Sequence, residues 1–269
     1  MKGHQSSFLL HPSSLEGGRL EEEAYVRGFK CIAGLDEVGR GCLAGPVVAA
    51  AVIFPRGVTH PEITDSKLLS SRKREELAGW IKGRALSWAL GIVGPEEIDR
   101  INILKASLLA MASAFRQLKP APDCLLIDGA DKIPLQFLED EGDRQQTIGN
   151  RKEGNARVGD ISIASRLTPY AFPFQRAIKK GDRLCMSIAA ASIVAKVARD
   201  QLMIEYHSLY PEYGFDQHKG YGSRLHLAAL NRHGPTPIHR RSFSPVRECS
   251  REAVSKDAVS NQLKLVADR

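Results

Sequence analysis

The sequence predicts an α/β domain on a sheet that is not all parallel. Three observations carry this. Apolar, β-branched runs alternate with longer stretches of helical character. The first two such runs, CIAGLD and LAGPVVAAAVIF, are separated only by a Gly-rich turn, which is a hairpin signal. Hydrophobic residues make up 43% of the 269-residue chain, enough for a sizeable core.

Taken in order, residues 1 to about 18 are rich in Ser, Gly and His and read as a loose tail. GRLEEEAYVRG predicts a helix near 19–28. The folded body begins near Lys30 with the hairpin. SSRKREELAGWIKG is a short helix capped by Ser70 or Ser71. LSWALGIV predicts a strand. GPEEIDRINILKASLLAMASAFRQL predicts one long helix, with Pro95 at its start, acids in its first turn and bases near its end. CLLIDG is a short buried strand ending in a turn. From 138 to 171 the chain is polar, Gly-rich and weakly periodic, which reads as a long loop or insertion. Order returns at QRAIKKGD. A long helix then spans SIAAASIVAKVARDQLMIEYHSLY, and SRLHLAALNRH forms another. The tail 248–269 mixes charged and apolar residues.

Charge and cysteines narrow the function. Lys and Arg total 38 against 31 Asp and Glu, a net charge of +7. No apolar run approaches the ~20 residues that span a bilayer, so no membrane role is expected. The five cysteines form no C-x-x-C pair, which argues against a zinc site or a disulfide framework and for a reducing, cytoplasmic setting. Residues 218–247 hold six basic residues (Lys219, Arg224, Arg232, Arg240, Arg241, Arg247) and no acid, leaving the rest of the chain nearly balanced. Tyr221 and Phe243 are interleaved with them. Basic side chains beside aromatic faces suit a polyanion with exposed bases.

Four acids sit at element ends. Asp36 and Glu37 close the first strand, before Gly39-Arg40-Gly41. Adjacent strand residues point to opposite faces, so both reach one site only if the Gly-rich turn bends the chain or a backbone carbonyl contributes. Asp128 ends CLLID, at the carboxyl end of a strand, where α/β proteins place their sites. Asp182 follows Lys180-Gly181 and is placed to cap the next helix. Acids from separate elements, without Cys or His ligand spacing, suit a hard divalent cation such as Mg²⁺ or Mn²⁺. On the following helix Ser192, Lys196 and Asp200 are four residues apart and share one face. Lys196 is read as orienting an acid or contacting phosphate, supported by Asp200.

Seven segments then resemble one known family. They are GLDEVGRGCLAGPVVAAAVIF (34–54), TDSKLLSSRKREEL (64–77), LLIDG (125–129), AIKKGD (177–182), IAAASIVAKVARD (188–200), HKGYGSRLHL (218–227) and HGPTPIHRRSFSPV (233–246). In content and order the chain resembles bacterial ribonuclease HII over residues 30–247. The resemblance implies a mixed five-stranded ribonuclease H-like sheet flanked by helices, with a helical C-terminal part. It implies an endonuclease that hydrolyses RNA in RNA–DNA hybrids, incises 5′ of single ribonucleotides in duplex DNA and leaves 5′-phosphates. It implies Asp36, Glu37, Asp128 and Asp182 as catalytic metal ligands, with two Mn²⁺ or Mg²⁺ ions once substrate is bound. By the same resemblance Gly39, Arg40 and Gly41 contact the ribonucleotide 2′-OH, Tyr221 stacks near the RNA–DNA junction, and Lys67 meets a phosphate. Ser192 and Lys196 match substrate-side positions. A monomer is expected, with 1–29 an N-terminal extension, partly disordered, and 248–269 a tail. KGYGS replaces the family's usual KGYGT, keeping the hydroxyl, and the 138–171 stretch is longer than the family's. A non-catalytic hybrid-binding protein and a ribonuclease HIII type are the alternative expectations.

Overall fold

The structure is a computed structural model and describes residues 18–139 and 172–250. One five-stranded mixed sheet organises it, in the order β3-β2-β1-β4-β5. β1 (Ile32–Val38) pairs antiparallel with β2 (Val47–Ile53), and β2 pairs antiparallel with β3 (Ser87–Val93). On its other edge β1 runs parallel to β4 (Cys124–Asp128), which runs parallel to β5 (Phe174–Ile178). The hairpin signal around the Gly-rich turn is therefore the β1–β2 pair, and the sheet is mixed as the resemblance implies.

Helices cover both faces. α1 (Arg19–Val26) precedes β1, and α2 (Ser71–Arg84) follows a 3₁₀ turn at Ser66–Leu68. α3 (Pro95–Ile101) and α4 (Ile103–Arg116) follow β3. The single helix expected over 94–118 is thus two. Asn102 takes a left-handed φ of 74°, ends α3, and accepts the backbone N–H of Lys105 to cap α4. With ψ of 162° this is a backbone region that glycine ordinarily occupies, held here by the helices on either side, and the apolar periodicity runs on through the break. α5 (Leu135–Leu138) comes after β4. A 3₁₀ turn at Gly181–Arg183 leads into α6 (Met186–Leu209), the longest helix among the described residues. The C-terminal part contains a 3₁₀ turn at Pro211–Tyr213, α7 (Phe215–His218), α8 (Arg224–His233) and helical residues 244–250.

One core lies between the sheet and α4, built on Leu35, Ala49, Ala51 and Ile53 against Ala110, Met111 and Ala114. The other lies between the sheet and α2 and α6, built on Val48, Ala50 and Val52 against Ile81, Ala190 and Val194. Small side chains let the elements approach closely. A Cβ on Gly34 would stand 2.2 Å from the backbone carbon of Ser187, so β1 and the start of α6 touch through a residue without a side chain.

Asp182 does not cap α6 as expected. It lies in the preceding 3₁₀ turn, and Cys185 is the N-cap without a side-chain bond. Glu21 of α1 takes the role from outside, accepting the backbone N–H and the hydroxyl of Ser187 at 2.8 and 2.9 Å. Ser70 caps α2. Of the expected insertion, residues 140–171 lie outside the described residues, as do 1–17 and 251–269 at the termini.

Candidate active site

Strand pairing brings the acids together. β1 and β4 are parallel neighbours with Leu35 opposite Ile127, so Asp36 and Asp128 follow side by side. Asp128 in turn pairs with Ile178 of β5. Just beyond β5, Lys180 adopts a left-handed φ of 58° and turns the chain back. The N–H of Gly181 then donates to Asp128 Oδ1 at 2.7 Å, placing Asp182 beside Asp128. All four candidate acids lie at the carboxyl ends of parallel strands, where open α/β sheets leave a crevice.

Asp36 is 6% exposed. Its Oδ1 accepts the N–H of Glu37 at 2.7 Å. Near it, the hydroxyl of Ser192 lies 2.9 Å from the hydroxyl of Ser66 and opposes the rise of the Asp36 carboxyl. Glu37 shares a small cleft with Arg40, Ser107 and Asp128, and its Oε1 accepts from the Arg40 guanidinium at 3.1 Å.

Burial, and then the charges of Glu37 and Asp128, push the Asp36 carboxyl well above its ordinary range. Burial raises Glu37 against the opposing pull of Arg40. Burial raises Asp182 too, helped by Asp128 and Asp65. Mutually raised carboxyls mark a negative cluster that holds its charge poorly without a cation. The donors are hard oxygens, as Mg²⁺ and Mn²⁺ prefer, so the residues fit such an ion. Among the described residues no three of these side chains already close on one point.

The other candidates fall around this cluster. Lys67 is exposed and lowers Asp182 by its charge. It sits in a turn shaped by Asp65, which accepts the Lys67 N–H at 3.0 Å and the Arg183 guanidinium at 3.0 Å. Burial alone would raise Asp65, but those two bonds hold it below its ordinary value. Lys196 donates to Asp200 at 2.8 Å, as its place on the helix face implied. Gly39 is buried with φ of +96°, and a Cβ there would meet Arg199 at 2.2 Å. Arg40 and Gly41 are exposed at the tip of the turn. Tyr221 is 43% exposed, and its backbone bridges to Cys42 in the same turn.

Two residues with no bracing role expected from the sequence hold this arrangement. Arg199 and Arg240 are both fully buried. Arg199 donates to the carbonyls of Ala44, Pro46 and Lys219 at 2.8–3.1 Å. Arg240 donates to those of Gly39, Arg40 and Gly45 at 2.7–3.0 Å. Together they bind six carbonyls of the Gly-rich loop and the K-G-Y turn. Burial pushes the Arg240 guanidinium down to about 10, still protonated at neutral pH. This corrects the reading of 218–247 as a run of phosphate-binding bases. Arg240 is an internal brace, and Lys219 donates to the carbonyl of Asp216. Arg224, Arg232, Arg241 and Arg247 remain exposed. Their surroundings are not free of acid either, because Asp99 of α3 accepts from the backbone of Arg241 and Ser242.

Known proteins give the lineage. The family described as Ribonuclease HII matches in two pieces, residues 33–172 and 152–246. The ribonuclease HII of Syntrophobacter fumaroxidans is 46% identical over 88% of this chain and 87% of its own length. That of Geobacter sulfurreducens is 47% identical over 85% of this chain and 88% of its own. Among solved structures, the ribonuclease H2 of Pyrococcus horikoshii OT3 has a TM-score of 0.58 at 24% identity, covering 83% of this chain and 98% of that one. Bst ribonuclease HIII in complex with Mn²⁺ has a TM-score of 0.56 at 17% identity, covering 93% of this chain and 74% of that one. These last two likenesses speak to the fold. No helix among the described residues is long and apolar enough to cross a membrane. With curated relatives at this identity along most of its length and strand ends that gather the same four acids the motifs single out, the chain belongs to the ribonuclease HII family.

Proposed function

We propose that this chain, a hydrolytic endonuclease of the ribonuclease HII family acting on the RNA of RNA–DNA hybrids, cuts at the cluster of Asp36, Glu37, Asp128 and Asp182. The supporting observation is the convergence of these acids at the ends of β1, β4 and β5, with raised carboxyls that call for a cation. They would hold Mg²⁺ or Mn²⁺, two ions with substrate bound. Bound there, divalent ions supply an activated water and stabilise the leaving oxygen of the phosphodiester. The protein's own part is to aim the acids. The Ser66–Ser192 pair flanks Asp36, Arg40 steadies Glu37, and the Gly181 N–H steadies Asp128.

Recognition of the ribonucleotide falls to the loop of Gly39, Arg40 and Gly41. Only a 2′-OH separates RNA from DNA at one position, and a glycine turn lets backbone groups approach it. Tyr221 beside that loop offers an exposed ring for stacking near the junction. Lys67, close to Asp182, is placed for a phosphate next to the scissile bond, and Ser192 and Lys196 line the same side from α6. The substrates are RNA–DNA hybrids and duplex DNA with single ribonucleotides, incised on the 5′ side, and the protein acts as a cytoplasmic monomer.

The test is nicking of a DNA duplex with one ribonucleotide, in Mg²⁺ and in Mn²⁺, by wild type and Asp36→Asn. Loss of at least about a hundredfold in kcat for the variant, with duplex binding kept, is expected. Equal rates would overturn the assignment. Tight binding by wild type with no nicking in either metal would favour a non-catalytic hybrid-binding protein.

A further inference from the structure

The K-G-Y turn is held with unusual completeness. Lys219 and Gly220 both take left-handed backbone conformations, φ of 51° and 83°. For a lysine this conformation is strained and persists only where the surroundings impose it. Three consecutive carbonyls are each bound by a different element. Lys219 O accepts from Arg199 of α6 at 2.8 Å, Gly220 O from the N–H of Leu43 at 2.8 Å, and Tyr221 O from His226 Nδ1 of α8 at 2.9 Å.

The last of these bonds begins a chain whose protons can be placed by chemistry alone. A carbonyl can only accept, so His226 Nδ1 carries a hydrogen. His226 Nε2 lies 3.0 Å from His239 Nε2. A neutral imidazole has one donor and one acceptor, so His226 Nε2 accepts and His239 Nε2 donates. His239 Nδ1 must then accept, and it receives the backbone N–H of Thr236 at 3.0 Å, with the Thr236 hydroxyl at 2.8 Å. Both rings are buried, 0% and 1% exposed. His218 is stacked on His226 at 4.5 Å and is fixed in the same way, donating to Tyr213 O and accepting the Gly220 N–H. Burial lowers His226 to about 4 and His239 to about 3, so both are neutral at physiological pH, as the chain requires.

We propose that His226 and His239 form a proton-ordered positioning pair that fixes the backbone of Tyr221, and through it the ring that stacks on the nucleic acid. This rests on the reading of Tyr221 as a nucleic-acid contact. Neither histidine faces the carboxylates, so their effect falls on substrate binding and not on the chemical step.

The experiment measures KM and kcat on the single-ribonucleotide duplex for wild type, Tyr221→Ala, His239→Phe, the double variant and His239→Gln. Stacking on one base is worth about tenfold, so Tyr221→Ala should raise KM by about that factor. His239→Phe keeps a ring but loses both nitrogens, and should raise KM about three- to tenfold with kcat within about twofold. In the double variant KM should not rise above that of Tyr221→Ala, because the pair acts only through the tyrosine. A glutamine presents its amide near the Nε2 position and should restore KM to within about threefold of wild type. A normal KM for His239→Phe, or multiplying effects in the double variant, overturns the pair while leaving Tyr221 as a contact. A normal KM for Tyr221→Ala removes that contact and the proposal with it. If His239→Phe fails to fold, Gln and Asn are compared at 239, since asparagine places its amide near Nδ1. Equal KM values for the two then refute the pair.

Discussion

Gly34→Ala tests the link between core packing and chemistry. The new Cβ would lie 2.2 Å from Ser187 C, 2.4 Å from Ile188 N and 2.5 Å from Ser187 Oγ. Normal carbon contacts lie near 3.5 Å, so β1 and the start of α6 must part by more than about 1 Å. Two of the three opposing atoms are backbone and cannot rotate aside. Overpacking costs about 1–3 kcal/mol, and this site belongs at the upper end. For a folded body of this size, about 3 kcal/mol lowers Tm by about 6–12 °C. The displaced helix carries Ser192, which neighbours Asp36, and follows directly on the turn that holds Asp182. A misplacement of about 1 Å in a catalytic group costs about a hundredfold in rate. Scanning calorimetry and kcat measured well below the variant's Tm check both halves. An unchanged Tm would refute the packing argument. A lowered Tm with wild-type kcat would show that the spacing of α6 from β1 does not set the geometry of the site.

Three further outcomes follow from charges inside the fold. Arg240→Met keeps the length of the side chain but strands the carbonyls of Gly39, Arg40 and Gly45; urea unfolding should show a loss of about 3 kcal/mol, and an unchanged midpoint would count against the brace. His226 and His239 have folded-state values of about 4 and about 3 against a usual 6.5, so the stability they confer is full above 6.5 and is lost as pH falls toward 4 and 3. The urea midpoint should drop between those limits more steeply for wild type than for His226→Asn/His239→Gln, and parallel profiles would contradict the neutral pair. Asp36 is shifted the other way, by burial and then by Glu37 and Asp128, so stability falls as pH rises from its ordinary value of 3.8 through the raised one. Metal-free Asp36→Asn at neutral pH should therefore melt higher than metal-free wild type, and an equal or lower Tm would refute this.

Much of the site was legible because its signals are local. Asp36 and Asp128 end apolar strands, and a strand end is visible in a run of a few residues. Their meeting depends on β1 and β4 being parallel neighbours, which local pattern does not contain and the resemblance supplied. The break at Asn102 was hidden because apolar spacing continues across it, while one residue changes the sign of φ. Arg240 was misjudged, and Arg199 passed over, for a different reason. A composition count treats every guanidinium as surface charge, yet these two are consumed by backbone carbonyls far away in sequence. Glu21 was read only as a helix former, and its bond to Ser187 crosses more than a hundred and sixty positions. Partners of this kind are properties of the folded chain, with no local trace.

The two ends of the sheet live under different rules. Asp128 ends β4 at one pole, while Cys124 at the other faces Phe174, some 13 Å away at about 3.3 Å per residue. Ile133, from the stretch that follows β4, is bonded to Gln175, so the chain has already returned to that far pole before residue 139, and it re-enters at Phe172. The described chain on both sides, at Ile133 and at Phe174, thus stands at the pole opposite Asp128. A reporter joined to the flanks that are described, at Ile133 or Phe174, starts from the pole away from Asp128, about 13 Å along the strand.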